Sequence, residues 1–506
     1  MISNGLTLVT VCRHSRAARA FVLLGLALAS PAMAAEWIVS SASQFESATV
    51  TYAPGDIITL RPGTYNLSRI VGFSRGAVTV RGQSGSYADV TLYGGGMNNT
   101  SAIREALQIY SDNVTIQDIT VSGFYHHAIH FMTDADYSLI HNVHTLNIGD
   151  QHMKGAVPNR NGIIEQCFME QTTARLNGLG GRPDNYVGGI DLHGAVNFQI
   201  RDNVAKGVNG LNGGDAGIFL WNGSKDCVIE RNTIVGCRKG IALGNPSSQN
   251  KYQAENCIVR NNFVVRDYGN DIGIEICYTR SCNVLNNTVV SLPTTDGGNF
   301  NRTFHIYDSA ALGFQTTNLL IAYNIIRGNI LDNSTGPFTL VGNITGTTPQ
   351  LSWFFNATGG DLHLTASAGA AVGTGAQQLM VAFDFDGQLR GPLPDVGADQ
   401  RTVWLAGDAN GDRVVDVRDL AILAVNYDAA SGKYWSEGDF TGDTGTDVQD
   451  LAMLAFNYNR TMPPVALVPE PACLALLPLL CLLRGRRPRR LAEQTHRLAA
   501  PVEVVA

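Results

Sequence analysis

The chain of 506 residues is poor in charge: Asp, Glu, Lys and Arg together make up 16%. It has no basic surplus either. With 36 Lys and Arg against 43 Asp and Glu the formal net charge is −7, which leaves no positive field for phosphate backbones and excludes nucleic acid as a partner. Cysteine is sparse. Cys12, Cys473 and Cys481 stand near the ends, and the six between Cys167 and Cys282 show no framework of a small disulfide-stapled domain. Long apolar runs are confined to the two ends, at 20–29 and 473–483, and the first is short for a membrane span of roughly 20 residues. What is abundant is glycine, 54 residues, which suits a turn-rich β protein better than a helical one.

The stretch 187–246 organises the rest. Gly-Ile-x-Leu begins at Gly189, Gly217 and Gly240, and Asn follows a second short strand at Asn203, Asn232 and Asn262. Alternating apolar and polar residues predict strands with one buried face, and a fixed period of this size predicts a solenoid. The turn position steps through 118, 142, 166, 203, 232, 262, 287 and 324, which implies a coil of about 24 residues with insertions collecting in one loop. Asn at this corner tolerates a left-handed turn and can bond the next Asn along the stack. Cys227 and Cys257 share one repeat position, as stacked small hydrophobes or as a disulfide.

Short strands without helical crossovers and a ladder of Asn turns describe an all-β, right-handed parallel β-helix over residues 35–402. The chain resembles the pectate-lyase-like superfamily over roughly 36–400. Pro54-Gly55-Asp56 with Pro62-Gly63-Thr64-Tyr65 resembles the first coil of bacterial members, and Asp384 to Gly387 with Asp395 to Ala398 resembles their closing segment. That resemblance implies an acidic, uronate-containing polysaccharide as partner or substrate.

Residues 403–460 change character. Asp408, Asn410, Asp412, Asp416 and Asp419 occupy positions 1, 3, 5, 9 and 12 of a twelve-residue loop, with the Val414 carbonyl at position 7. This is calcium-loop spacing, since a hard cation needs converging oxygens. The second copy, 31 residues on, is Asp439, Thr441, Asp443, Gly445, Asp447 and Asp450. Each leads into a near-identical amphipathic helix. The pair resembles a type I dockerin, which implies two Ca2+ ions and a cohesin-like partner. Val417-Arg418 and Val448-Gln449 depart from the Ser-Thr that contacts a cohesin in that family.

At the ends, Arg13, Arg16 and Arg19 before the run 20–29, with Ala32-Met33-Ala34, read as a secretory signal over 1–34. Val468-Pro469-Glu470-Pro471, the apolar run 473–483 and the basic cluster 484–490 resemble a PEP-CTERM sorting signal with a transmembrane stretch over 461–490, followed by a tail at 491–506. This implies exosortase-type sorting in a Gram-negative bacterium and a place in the cell envelope, at the cell surface or outside.

Aligning the Gly-Ile-x-Leu strands gives an outward column of His130, His152, Asp191, Phe219, Ala242, Glu275 and His305. A neighbouring column holds Lys154, His193, Trp221 and Tyr307. His152, Lys154, Asp191 and His193 are the expected catalytic patch. His130, Asp150, Asp215, Trp221, Arg238, Glu275, His305 and Tyr307 are the expected substrate contacts. Aromatic faces stack on sugar rings and charged groups recognise uronates. β-Elimination or C5 epimerisation needs a base, Lys154 or a His, and a cation on the carboxylate, Lys154, Arg238 or a metal. Hydrolysis needs two carboxylates, Asp191 with Asp215 or Glu275. His152, Asp191 and His193 also form a credible metal set. A non-catalytic polysaccharide-binding or surface-matrix protein fits the same residues.

Overall fold

The computed structural model describes residues 34–176, 186–209, 216–248, 251–267, 272–294, 299–308, 312–401 and 405–461. The expected signal and both C-terminal segments lie almost wholly outside them. The regular elements of the described residues are mostly β-strands, and these residues group into two compact units. One comprises Met1–Gly375, Asp384–Gly387 and Asp395–Arg401. The other comprises Ala376–Phe383, Gln388–Pro394 and the residues from Thr402.

In the first unit, one coil shows the plan. Gln199–Arg201 turns at Asp202 into Val204–Lys206, and Ala216–Trp221 completes the circuit before Val228–Glu230 opens the next. Each strand pairs in parallel with its counterpart one coil on. The third strands of successive coils make a ten-stranded sheet between Val71–Phe73 and Ile330–Asn333. Its inward residues stack in register, and Ile129, Met153, Ile190, Ile218, Ile241 and Ile274 are fully buried. Each such side chain contributes about 1.5–3 kcal/mol on leaving water. The motif glycine has a steric reason: a Cβ on Gly189 would stand 2.2 Å from the carbonyl oxygen of Gly217 in the next coil. The helix Ala42–Thr51, capped by Ser41, lays Phe45 and Ala48 into the same core.

The corner divides its two tasks between neighbouring residues. At the first three turns Asp118, Asn142 and Gln166 are themselves left-handed. From the fourth turn on, the left-handed residue is the one before the expected Asn: Asp202, Arg231, Asn261, Asn286 and Tyr323. The Asn that follows is freed to turn inward. Asn203, Asn232, Asn262, Asn287 and Asn324 are buried, and each donates both its backbone N–H and its Nδ2–H to Oδ1 of the next, ending on Asn343. A second column holds Cys227, Cys257 and Cys282. All are buried and free, and their Sγ–H groups face backbone carbonyls, so the disulfide alternative is not realised there.

The second unit contains the helices Val417–Asn426 and Val448–Asn457. Asp416 caps the first and Asp447 the second, each in a reciprocal box with the acid three residues on, Asp419 or Asp450. Val415, Leu423, Trp435, Phe440 and Leu454 form its core. No helix among the described residues is long and apolar enough to cross a membrane.

The ladder predicts a large penalty for one missing rung. Asn262→Ala removes the acceptor of the buried Asn232 backbone N–H, while Asn232 Nδ2 keeps the Ile200 and Glu230 carbonyls, so at about 1–3 kcal/mol for an unsatisfied group the loss is roughly 1–3 kcal/mol, read by denaturant unfolding.

Candidate functional site

The outward residues of the ten-stranded sheet stack as strictly as the inward ones. Gln108, His130, Lys154, Asp191, Phe219, Ala242, Glu275 and His305 form one column, and His193 pairs with Trp221 beside it. Lys154, not His152, therefore stands between His130 and Asp191. The strand Gln151–Gly155 lacks the Gly-Ile-x-Leu motif that anchors the alignment elsewhere, so the expected register is two residues out.

His152 is displaced as a consequence. It is fully buried, with Nδ1 2.7 Å from Thr145 Oγ1 and Nε2 3.2 Å from Gln171 Oε1. Burial lowers its pKa to about 4. It takes no part in the outer face, and the expected His152, Asp191, His193 metal set is not assembled. Asp150 is corrected likewise: it forms an ion pair with Arg175 at 2.9 Å in which both side chains are fully buried. Asp215 lies outside the described residues. Arg238 is half-buried just before the strand Lys239–Leu243, and it is Lys239 that reaches Glu275.

The remaining residues converge. Lys154 Nζ lies 2.5 Å from Asp191 Oδ2 and 2.9 Å from His193 Nε2. Trp221 Nε1–H donates to Asp191 Oδ1 at 2.8 Å, and its ring lies 4.0 Å from that of His193. Tyr186 stands over the ammonium at 5.5 Å. Burial works against the charge on Lys154, but Asp191 and Tyr186 outweigh it and raise its pKa. His193 moves the other way: burial, with the Lys154 charge beside it, lowers its pKa to about 4. At neutral pH the pair is a fixed cation against a neutral imidazole.

Farther along the column is a second cluster. Glu275 is buried between Lys239 Nζ at 2.5 Å and the Tyr307 hydroxyl at 2.7 Å, and the His305 ring lies 4.4 Å from that of Tyr307. Burial raises the Tyr307 pKa. Between the clusters runs an apolar strip of Ala216, Phe219 and Ala242, flanked by Trp221. Asp191 and Glu275 are three strands apart, about 14 Å at the usual strand spacing.

On the other side of Lys154, Glu105 and His127 join His130. His130 Nδ1 is 2.9 Å from Glu105 Oε2, and the His127 and His130 rings are 5.1 Å apart. Burial pulls the pKa of His127 down to about 3; burial opposes ionisation of Glu105, but its hydrogen bond from His130 helps bring it to about 2. Glu105, His127, Tyr186 and Lys239 were not anticipated from the sequence. The triplet His126, His127, His130 was a visible signal, whereas Glu105 stands at the end of an irregular loop without one.

In the second unit the two acidic loops share the main-chain bonds to their first and last carboxylates. Asp408 Oδ1 and Oδ2 accept from the N–H groups of Gly411 and Arg413, and Asp439 does the same with Gly442 and Thr444. Asp419 and Asp450 each accept two N–H donors on Oδ1. Burial, with Asp419 and Asp412 nearby, raises the Asp408 pKa, and burial with Asp450 and Asp443 raises that of Asp439. Asn410, Asp412, Asp416, Thr441, Asp443 and Asp447 ring the same loops, with the Val414 and Gly445 main chain.

No protein-family description matches the chain, and no curated protein matches its sequence. Solved structures similar to it include an alginate lyase from Paenibacillus sp., 13% identical, covering 62% of this chain and 99% of its own, with a TM-score of 0.42. A mannuronan C-5 epimerase A-module from Azotobacter vinelandii is 13% identical over 61% of this chain and 94% of its own, with a TM-score of 0.39. The complex of XylC with xylose is 9% identical over 73% and 98%, with a TM-score of 0.45.

Burial of a neutral His152 carries a pH signature. Its folded pKa of about 4 lies below the ordinary 6.5, so between these values the unfolded chain binds the extra proton and stability falls as pH drops. His152→Gln keeps a polar partner for Thr145 and removes that proton. Its unfolding free energy should fall less steeply from pH 6.5 to pH 4, by up to about 1.4 kcal/mol per pH unit, in denaturation series at fixed ionic strength.

Proposed function

We propose that the solenoid is an exported carbohydrate-active protein that works on a uronate-containing polysaccharide as a lyase or C5-epimerase. The observation that carries this reading is the contact between the charged Lys154 and the neutral His193, 2.9 Å apart beside the Trp221 ring. Lys154 is held protonated by Asp191, so it is the neutraliser of the substrate carboxylate rather than the base. His193 Nε2, released when that carboxylate takes over the Lys154 hydrogen bond, accepts the proton from C5. In elimination the C4–O bond then breaks and the Tyr186 hydroxyl protonates the departing oxygen. In epimerisation Tyr186 returns a proton to C5 from the opposite face. Trp221 and Phe219 supply the stacking surface.

A hydrolase through Asp191 and Glu275 is the weaker reading, because about 14 Å between them exceeds the roughly 5–9.5 Å of paired glycosidase carboxylates, and the other expected partner, Asp215, lies outside the described residues. A non-catalytic binding role has one observation of its own: both lysines on this face are already matched, Lys154 by Asp191 and Lys239 by Glu275. Incubation with a panel of uronate polymers separates these readings. Ultraviolet absorbance of unsaturated products indicates a lyase, and a changed uronate ratio without it indicates an epimerase. No change, with retention in affinity electrophoresis, indicates the binding module. Turnover should be abolished in His193→Ala and Lys154→Ala with circular dichroism preserved; unaffected rates would sink the assignment.

The acidic pair is proposed to be dockerin-like, with one Ca2+ in each loop. Asp408, Asn410, Asp412, the Val414 carbonyl, Asp416 and Asp419 would hold the first ion. Asp439, Thr441, Asp443, the Gly445 carbonyl, Asp447 and Asp450 would hold the second. The fit rests on crowded carboxylates whose ionised forms a cation would stabilise, in two superimposable cradles of N–H groups. Calorimetry should resolve two calcium sites per chain and one in Asp408→Ala. Export, exosortase-type sorting, a Gram-negative cell surface and a cohesin-like partner complete the proposal from the sequence motifs.

A further inference from the structure

We infer that Glu105, His127 and His130 form a transition-metal site on the outer face of the solenoid, suited to Zn2+ or a similar first-row divalent ion. One ligand atom from each lies within 4.8 Å of the others. A tetrahedral ion with bonds of about 2.0–2.1 Å holds its ligand atoms roughly 3.3 Å apart, so small side-chain adjustments close the set.

Three features distinguish this cluster from an ordinary hydrogen-bonded trio. His127 Nδ1 faces the Gln151 carbonyl at 3.2 Å, which fixes Nδ1 as the N–H and leaves Nε2 as a lone pair. The buried Nε2 of His130 has no hydrogen-bond partner. Glu105 is itself oriented from behind: Gln108 Nε2 donates to Oε2 at 2.6 Å, and the Tyr110 hydroxyl holds Gln108 Oε1 at 2.7 Å. Ligands braced in this way by carbonyl, amide and phenol groups are the usual support of a metal centre.

Charge permits it. One carboxylate and two imidazoles carry a net negative charge, and the nearest ammonium, Lys154, is matched by Asp191. The Glu105 and His130 side chains retain 13% exposure each, which leaves an approach for the ion. Two imidazoles and one carboxylate favour zinc-like ions over calcium, and three protein ligands leave a coordination position open. Register pairs His130 with Lys154, so that open position adjoins the proposed catalytic pair. A sugar carboxylate or hydroxyl is the ligand it would take there; this last step rests on the proposed function, while the site itself does not.

The test reads the metal, not turnover. Tag-free full-length protein is stripped with chelator, returned to excess Ca2+ to fill the acidic loops, and titrated with Co2+ and then Zn2+. One Co2+ per chain is expected, with visible ligand-field bands of a nitrogen and oxygen set and displacement by Zn2+. Glu105→Gln and His127→Gln should each weaken binding by more than tenfold, Gln108→Leu by 10- to 100-fold, and Glu275→Gln not at all. If the wild type takes up no Co2+ beyond the calcium loops, or shows thiolate charge transfer instead, the site is refuted. Undiminished binding in Glu105→Gln refutes it equally, even if His127→Gln fails to fold. A protein that binds the ion yet leaves every polymer unchanged overturns the enzymatic reading and keeps the metal site.

Discussion

The one-to-one parallel register between coils is the constraint on which everything else in the solenoid rests. Each coil's main chain finds its hydrogen-bond partners only in its neighbours, so a residue's position along a strand fixes which residues lie above and below it. Inward, this turns a weak sequence preference into continuous columns of Ile and Leu. Outward, it aligns side chains that are distant in sequence: Lys154 meets Asp191 from 37 residues away and Lys239 meets Glu275 from 36.

The outer face behaves electrostatically like an interior. Asp191 and Glu275 are almost inaccessible, and an isolated charge there would be costly; each is therefore matched by an ammonium at hydrogen-bond distance. Neutral imidazoles complete the pattern where a second positive charge would not be tolerated, as at His193 beside Lys154. The acidic loops of the second unit follow the reverse logic. There carboxylates crowd one another, and main-chain N–H groups hold their shape. One arrangement is internally neutralised by ammonium groups, whereas the other leaves its carboxylates matched only by main-chain dipoles.

The coil was legible in the sequence because its determinants are local. Gly-Ile-x-Leu encodes both the inward pair and the close approach at Gly189, and the outward positions of Asp191, His193 and Trp221 follow from it by alternation. Legibility failed where the motif failed. Without it, the strand of Lys154 was placed two residues out, and His152 was assigned to a face it does not share. The Asn corner was read correctly as a ladder, yet sequence could not separate the residue that takes the left-handed turn from the residue that bonds. Both positions accept Asn, and only the backbone distinguishes Asn261 from Asn262. Glu105 was invisible for a third reason: its place is set by a loop whose path depends on the coils above it.

The column of Cys227, Cys257 and Cys282 has a consequence for biogenesis. These free thiols fill space as valine would, each Sγ–H at a backbone carbonyl and Cys257 also within hydrogen-bond reach of Cys227 and Cys282. Closing the solenoid at this column requires no oxidant, no isomerase and no particular glutathione balance. With the thiols free, the redox surroundings are left out of the folding problem of this coil.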